Sequence, residues 1–404
     1  MNNVKIQPVL VGGDINCYSV ARAYHEAYGV KSIAFGKIRI GATNHSKIID
    51  YREGTTIEDE EAFLEKLLAL PDQEAEEGKV FIIHGCKDEY AEFIIDNKEI
   101  LSTKYIVPYI DKELKDKLIE KDSFYQICEE YNLNYPKTHV FNKGDEVVDF
   151  GFNYPVILKA SDSVTFFQHE FPGMKKAYIV QDANEFKQIT DEIYSHGYEK
   201  SLIVQDFIPG DDSHMRVLTC YSDQNGKVKM MCLGHVLLEE HTPKGIGNHA
   251  AIITEYDEEV MTKFKNFLES INYTGFSNFD IKYDTRDNTY KVFEINLRQG
   301  RSNYYVTGSG NNIAKYVVED RVENKELELK IQKEPFFWRV IPRHVVYKFV
   351  KNKDLVNKCK QLASEGKEAT SFGYKYDLSG NIKRSWYIFL YSINQIRKFN
   401  KYCK

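Results

Sequence analysis

The sequence predicts an α/β chain that turns α+β beyond residue 110, on three observations: a strand-helix-strand start, an antiparallel hairpin near residue 287, and a basic aromatic tail. At the start, residues 6–11 are apolar, Gly12-Gly13-Asp14 reads as a turn, and Val20, Ala23, Tyr24 and Ala27 fall at helical spacing before a strand over 32–35. That is one strand, helix, strand unit with a glycine turn at its switch. The turn lacks the full dinucleotide fingerprint, so it predicts a tight bend whose helix N-terminus receives a carboxylate, with Gly13 and Asp14 as substrate-side candidates. Residues 80–83 predict another buried strand and 105–107 a further short one, closing a small α/β domain over 1–110.

Residues 114–131 predict a helix with Leu118, Lys121, Tyr125 and Cys128 on one face, stopped by Pro136. Strands follow at 138–141 and 154–159, the second ending on Lys159, and residues 202–212 form an apolar strand that breaks at Pro209-Gly210 before Asp211 and Asp212. The most informative stretch comes next. Phe279, Ile281 and Tyr283 alternate with Asn278, Asp280 and Lys282, and Phe293, Ile295 and Leu297 alternate with Glu294, Asn296 and Arg298, so each run reads as a strand with one apolar and one polar face. Turn chemistry over 284–288 makes them a hairpin, and folding it symmetrically about Asp287 sets Asp280 opposite Glu294.

Two carboxylates facing across a ladder destabilise it unless something positive lies between them. All-oxygen ligands, Asp280, Glu294 and the Asn296 amide, suit Mg2+ (or Mn2+) rather than zinc, and Mg2+ held by few protein groups completes its shell with phosphates. Arg298 shares that face and can reach a phosphate. The bland alternative is a solvated hairpin face whose charges keep it soluble; the register, amide and arginine together favour the metal.

At 404 residues with a net charge of −6 the chain can bury a sizeable core and form two or more domains. No run of about 18 apolar residues suggests a membrane span, and Val4-Lys5 leads straight into a strand, so a cytoplasmic location is expected. The seven cysteines are scattered without paired spacing and read as reduced and structural. Nothing marks the chain for nucleic acid. Charge is uneven, however: residues 331–404 carry 16 Lys and Arg against 5 Asp and Glu, a balance of +11, leaving the first 330 at −17. This tail holds both tryptophans, Trp338 and Trp386, and either an anionic membrane surface or a helical cap packed on the preceding domain would explain it.

In this order the motifs resemble an ATP-grasp ligase. The resemblance implies a three-part fold over roughly residues 1–325: an N-terminal α/β domain (1–110), a central lid domain (111–205) and an antiparallel catalytic domain (206–330), followed here by the basic extension (331–404). It also implies ATP and Mg2+ as cofactors. Lys121 and Lys159 fall where such enzymes hold the α- and β-phosphates, Gln205, Asp206, Phe207 and Ile208 form the adenine hinge, and Asp212 meets the ribose. Asp280, Glu294 and Asn296 take the metal and Arg298 faces the phosphate. The loop over 161–173 departs from the family, being bulky with one glycine, which leaves Ser161, Ser163 and Lys176 to hold phosphate by side chain. Asn248 is a further candidate on the phosphate side.

Within that superfamily the chain is similar to the D-aspartate ligases of Gram-positive bacteria, on residues 11–16 with Ala21 to Tyr24, 127–133, 203–212, 230–235 and 293–302. The likeness implies that the β-carboxylate of D-aspartate attacks the γ-phosphate of ATP to give an acyl phosphate. The ε-amine of a lysine in a peptidoglycan precursor, a muropeptide or a lipid-linked form, then displaces phosphate. Lys159, Arg298 and Arg301 are the catalytic candidates, with Arg216 and Arg301 for the substrate carboxylate. A lipid-linked acceptor would give the basic tail a purpose at the inner membrane face. Another ATP-grasp amino-acid or dipeptide ligase, and a non-catalytic MgATP-binding protein, are the alternatives. His235, Glu239, Glu240 and His241 read as a strand end and loop without a metal set.

Overall fold

The computed structural model describes residues 5–38, 41–54, 57–146, 149–243 and 245–403, and only the backbone of residues 121, 122, 163 and 164. Strands Ile49–Glu53, Ser32–Gly36, Lys5–Val11 and Lys79–Gly85 lie in that order in one parallel sheet. Helix Ile15–Tyr28 follows the first strand because Asp14 caps it, its carboxylate accepting from the N–H groups of Asn16 (3.0 Å) and Cys17 (3.3 Å). Gly29, at φ 69°, ends it in the left-handed conformation that glycine adopts without strain.

Two sequence expectations change here. Residues 105–107 do not form a strand but a single parallel bridge from Ile106 to Ile82, because Pro108 follows and Tyr109 N–H closes a tight turn on Val107 O (2.9 Å). The helix expected over 114–131 is two, Lys112–Ile119 and Lys121–Glu130. Glu120 between them is extended (ψ 117°), its carboxylate accepting from Ser123 Oγ (3.0 Å), since the polar run 120–123 offers the core nothing to bury. Lys121 therefore opens the second helix.

Beyond it, strands Thr138–Phe141, Leu202–Asp206, Val156–Ala160 and Ala177–Val180 form a small antiparallel sheet, in that order, with Phe186 of helix Ala183–Ser195 buried in its core. The large sheet runs Thr289–Asn296, Gly275–Asp284, Met215–Ser222, Val228–Glu239, His249–Glu255, Phe337–Arg339, Glu368–Thr370. The tail thus completes this sheet: Phe337–Arg339 pairs antiparallel with His249–Glu255, and Trp338, 1% exposed, donates its Nε1–H to Ser371 Oγ (3.0 Å). Trp386 meets the opposite fate at 60% exposed, on the final helix Ile382–Tyr402.

His84, at the end of the strand Lys79–Gly85, is buried with one ring nitrogen 2.8 Å from Tyr24 Oη, and burial pulls its pKa down to about 3. The unfolded chain takes a proton near pH 6.5 that the folded chain refuses. Stability is therefore lost as pH falls from 6.5 toward 3, at up to about 1.4 kcal/mol per pH unit from this residue. Thermal midpoints at pH 7 and pH 5 should differ less in His84→Gln than in the parent protein; an equal difference refutes the assignment.

Candidate active site

The hairpin Gly275–Asp284 to Thr289–Asn296 forms one edge of the large sheet, and Asp280 is indeed the ladder partner of Glu294. The register reaches that pairing through a bulge. Near the turn Asp284 faces Thr289 and Ile281 faces Val292, so Phe293 is the extra residue that brings Glu294 opposite Asp280. Phe293 is accordingly only half-buried, and Val292 takes the core position that simple alternation assigned to it. On the apolar side, Phe279 packs against Phe264 (centroids 4.7 Å) and Phe267 (6.0 Å) of helix Glu258–Ser270. That packing turns Asp280 to the polar side.

There the Asn296 amide donates to Asp280 Oδ2 (3.2 Å) and to Asn278 O (3.2 Å), while its oxygen accepts from Arg298 Nη2 (3.4 Å). Burial, and then the facing Glu294 carboxylate, hold the Asp280 carboxyl well above the usual carboxylate range. A divalent cation fits this arrangement, because it would offset the charge that the opposed carboxylates force on each other. Among the described residues no group of three or more His, Cys, Asp or Glu side chains could hold a metal, so a cation here would depend on the Asn296 oxygen and on oxygens from its substrate.

Two groups on the same side have no site role in the sequence reading, which places Glu239 at a strand end and Lys282 on the polar face of its strand. Glu239 is pushed up to about 7 by burial first and then by the Asp212 carboxylate, and lies 3.6 Å from His249, which burial lowers to about 4. Lys282 donates to Ile208 O (2.8 Å) and Gly210 O (3.3 Å) and lies 5.6 Å from the Phe207 ring centre. It ties the metal-side strand to the expected adenine hinge. Its signal was present in the sequence: Lys282 stands two residues after Asp280 on the same face.

The hinge is held from below. Gln205 is buried, donating to Tyr125 Oη (2.7 Å) and Thr138 Oγ1 (2.9 Å), and Tyr125 in turn donates to the carbonyl of the bulge residue Phe293 (3.1 Å). This chain links the small antiparallel sheet to the hairpin. The Asp206 carboxylate is taken by Arg286 in a two-pronged pair (3.0 and 2.6 Å), and its backbone N–H donates to Lys137 O (2.9 Å). Asp212 accepts from Glu239 N–H (2.9 Å) and His241 Nε2 (2.8 Å), and this contact is the largest cause raising His241 to about 10. Ile208 is buried.

Lys159 stands near the end of strand Val156–Ala160 with Ala177 as ladder partner, and the exposed Lys176 immediately precedes Ala177. The side chains of Lys121 and Ser163 lie outside the described residues. The loop after Lys159 is a short helix, Ser163–Phe167, capped by Asp162, with Ser161 Oγ 3.4 Å from Tyr198 Oη. Asn248 is half-buried, and its carbonyl accepts from Glu240 N–H (2.9 Å).

At the other end, Arg298 donates to Asp88 Oδ2 (2.8 Å) and Gln299 O (3.1 Å), while its Nε–H is buried without a partner among the described residues. An anionic ligand would satisfy that donor. Arg301 donates to Glu240 Oε1 (3.4 Å). Burial raises the Asp14 carboxyl, opposed by the positive charges of Arg301, Arg298 and Lys87, so Asp14 and both arginines share one corner; Gly13 O accepts from Thr43 Oγ1 (3.2 Å). Asn16 bolts that corner together, donating to Cys86 O (3.0 Å) and Gln299 O (3.1 Å) and accepting from Asn303 Nδ2 (2.8 Å). Gly300 permits the close approach: a Cβ there would sit 2.5 Å from Asn278 Oδ1. Arg216, by contrast, is committed to Glu255 and to the carbonyls of Ser213 (2.9 Å) and Met215 (3.0 Å), an internal ion pair that competes with a substrate role.

No family model matches the chain. It is 41% identical over 414 residues to the D-aspartate ligase of Enterococcus faecium (strain Aus0004), an alignment spanning 100% of this chain and 98% of that protein. Among solved structures, an N5-carboxyaminoimidazole ribonucleotide synthetase in complex with ADP superposes with TM-score 0.60 at 12% identity, covering 89% of this chain and 86% of that one. The Staphylococcus aureus N5-carboxyaminoimidazole synthetase complexed with ADP gives 0.59 at 14%, over 90% and 88%. The L-amino acid ligase from Bacillus licheniformis gives 0.53 at 15%, over 79% and 71%. These likenesses show the ATP-grasp fold, and the end-to-end identity shows the family: the chain belongs to the D-aspartate ligases.

Proposed function

We propose that this chain is an ATP- and Mg2+-dependent carboxylate-amine ligase that joins the β-carboxylate of D-aspartate to the lysine ε-amine of a peptidoglycan precursor. The observation that carries the reading is the bulged hairpin, which sets Asp280 against Glu294 beside Asn296 and Arg298 in a chain matched end to end by a D-aspartate ligase. On this reading the four parts are 1–110, 111–205, 206–330 and 331–404. The enzyme works in the cytoplasm, with the tail in contact with the inner membrane face.

Lys121, Lys159 and Lys176 hold the phosphates, the backbone of 205–208 takes the adenine, and Asp212 meets the ribose, with Asn248 on the phosphate side. Asp280, Glu294 and Asn296 hold Mg2+, which supplies charge neutralisation at the γ-phosphate. Gly13, Asp14 and Arg301 face the amino-acid end, where Arg301 orients a carboxylate. A carboxylate oxygen of the substrate attacks the γ-phosphorus, the bond to the bridging oxygen breaks, and ADP leaves. The amine nitrogen then adds to the acyl phosphate, and Arg298 and Arg301 steady the tetrahedral oxyanion. Phosphate departs with the bonding pair and the nitrogen loses its proton.

A phosphate-release screen tests the reading. Phosphate should appear only with ATP, Mg2+, D-aspartate and a lysine-containing muropeptide together, and Lys159→Ala should reduce the rate by about 10²–10³, as loss of one preorganised charge contact does. If L-aspartate serves as well as its enantiomer, the D-aspartate assignment fails and the ligase class alone survives.

A further inference from the structure

The last helix, Ile382–Tyr402, has two faces of different character. Arg384, Gln395 and Phe399 are buried, and Gln395, Phe399 and Tyr402 line a small cleft with the active-site loop residues Glu240, His241 and Thr242. On the outward side Ile382 is 83% exposed, Trp386 60%, Phe389 53% and Leu390 46%. These positions fall at i, i+4, i+7 and i+8, a single stripe, and the Trp386 and Phe389 rings stack at 5.5 Å. An apolar stripe of this size on the surface calls for a partner.

The charge around it decides which partner. Residues 378–404 contain no Asp or Glu, and Lys383, Arg397 and Lys401 are exposed on the same helix. A second copy packed through this stripe would bring two such acid-free cationic helices together, and like charges at close range repel. An anionic lipid surface fits both features, since it attracts the lysines and arginine and accepts aromatic and aliphatic side chains at headgroup depth. No helix among the described residues is long and apolar enough to cross a membrane, so the contact is one of lying on the surface.

We propose that helix Ile382–Tyr402 docks outward face down on an anionic bilayer, Ile382, Trp386, Phe389 and Leu390 entering the interface beside Lys383 and Arg397. This deepens the membrane contact proposed above and rests on it. Because the opposite face of the helix reaches the loop at Glu240 to Thr242, docking sets that end of the cleft against the lipid surface, within reach of a lipid-linked acceptor.

The full-length protein carries its own reporter. Trp338 is 1% exposed, so a change in tryptophan emission on binding comes from Trp386. With phosphatidylglycerol vesicles at about 50 mM salt, the protein should co-sediment and its emission should shift to the blue; with phosphatidylcholine vesicles neither should happen. The double variant Trp386→Ser/Phe389→Ser should bind phosphatidylglycerol at least about tenfold more weakly while releasing phosphate from soluble substrates at the parent rate. Absence of vesicle binding by the parent protein, or equal binding by the variant, overturns the proposal. So does concentration-dependent dimerisation of the parent that the variant loses, which would make the stripe a self-contact. If phosphate release fails in parent and variant alike, the ligase reading falls while the vesicle result still stands.

Discussion

Asp280→Asn should make the ligand-free protein more stable and the enzyme nearly inactive. The two effects share one cause. In the folded chain the Asp280 carboxyl is buried and faces Glu294, which raises its pKa above the value near 3.9 of an unfolded aspartate. An aspartate with a raised folded pKa destabilises the fold wherever the unfolded chain is ionised, and the penalty grows as pH climbs from about 4 through the folded pKa. The amide carries no charge to repel Glu294, so the variant should gain up to about 1 kcal/mol at neutral pH and nothing below about pH 4. The same substitution removes one of the ligands proposed for Mg2+. If the metal supplies about 4 kcal/mol of transition-state stabilisation, phosphate release should fall about 10³-fold, and the rise in thermal midpoint that Mg2+ with nucleotide gives the parent should vanish. A variant that keeps its Mg2+-dependent midpoint, or that is less stable than the parent at pH 7, contradicts the metal assignment.

Arg384→Ala should cost the most stability of any substitution in the tail. Arg384 and Asp377 are both fully buried, joined through Nε–H to Oδ2 (3.1 Å), and Arg384 also donates to Gly41 O (3.2 Å) and Asn44 O (2.9 Å). Asp377 accepts in addition from Tyr18 Oη (2.8 Å), Ser46 Oγ (3.1 Å) and Lys47 N–H (2.6 Å). The pair lies within the tail, and the hydrogen bonds of its two members to Tyr18, Gly41, Asn44, Ser46 and Lys47 clamp the final helix to the N-terminal residues. Removing the guanidinium leaves a buried carboxylate without its countercharge, a loss of about 3–5 kcal/mol, whereas replacing both partners by apolar residues should cost less. Thermal unfolding of the two variants checks the order, and limited proteolysis should release the helix first in Arg384→Ala. Equal midpoints would mean that the pair is dispensable.

Much of the candidate-site hairpin was legible because it is local. Alternation and turn chemistry predict both strands, and the polar faces carry Asp280, Glu294, Asn296 and Arg298. The bulge at Phe293 was not legible. It is held by Tyr125, 168 residues away in the chain, and by the hydrogen bond from Val292 N–H to Asn134 O (2.8 Å), and no periodicity within the strand reports either partner. The break at Glu120 was hidden for a related reason: the spacing of Leu118, Lys121, Tyr125 and Cys128 is helical on both sides of it.

The tail shows the same division from the other side. Its charge and its tryptophans are facts of composition, yet composition could not say that Trp338 joins the central sheet and Trp386 faces solvent. The sequence by itself determined the order of chemical groups along the chain, and with it the family resemblance and the polar faces on which those groups stand. Only the tertiary structure decided which charges meet: Asp206 with Arg286, Asp212 with His241, Arg216 with Glu255, Arg384 with Asp377. Strand and helix periods act over a few residues and are written locally, whereas ion pairs depend on how distant elements pack, and that is set by the burial of the whole core.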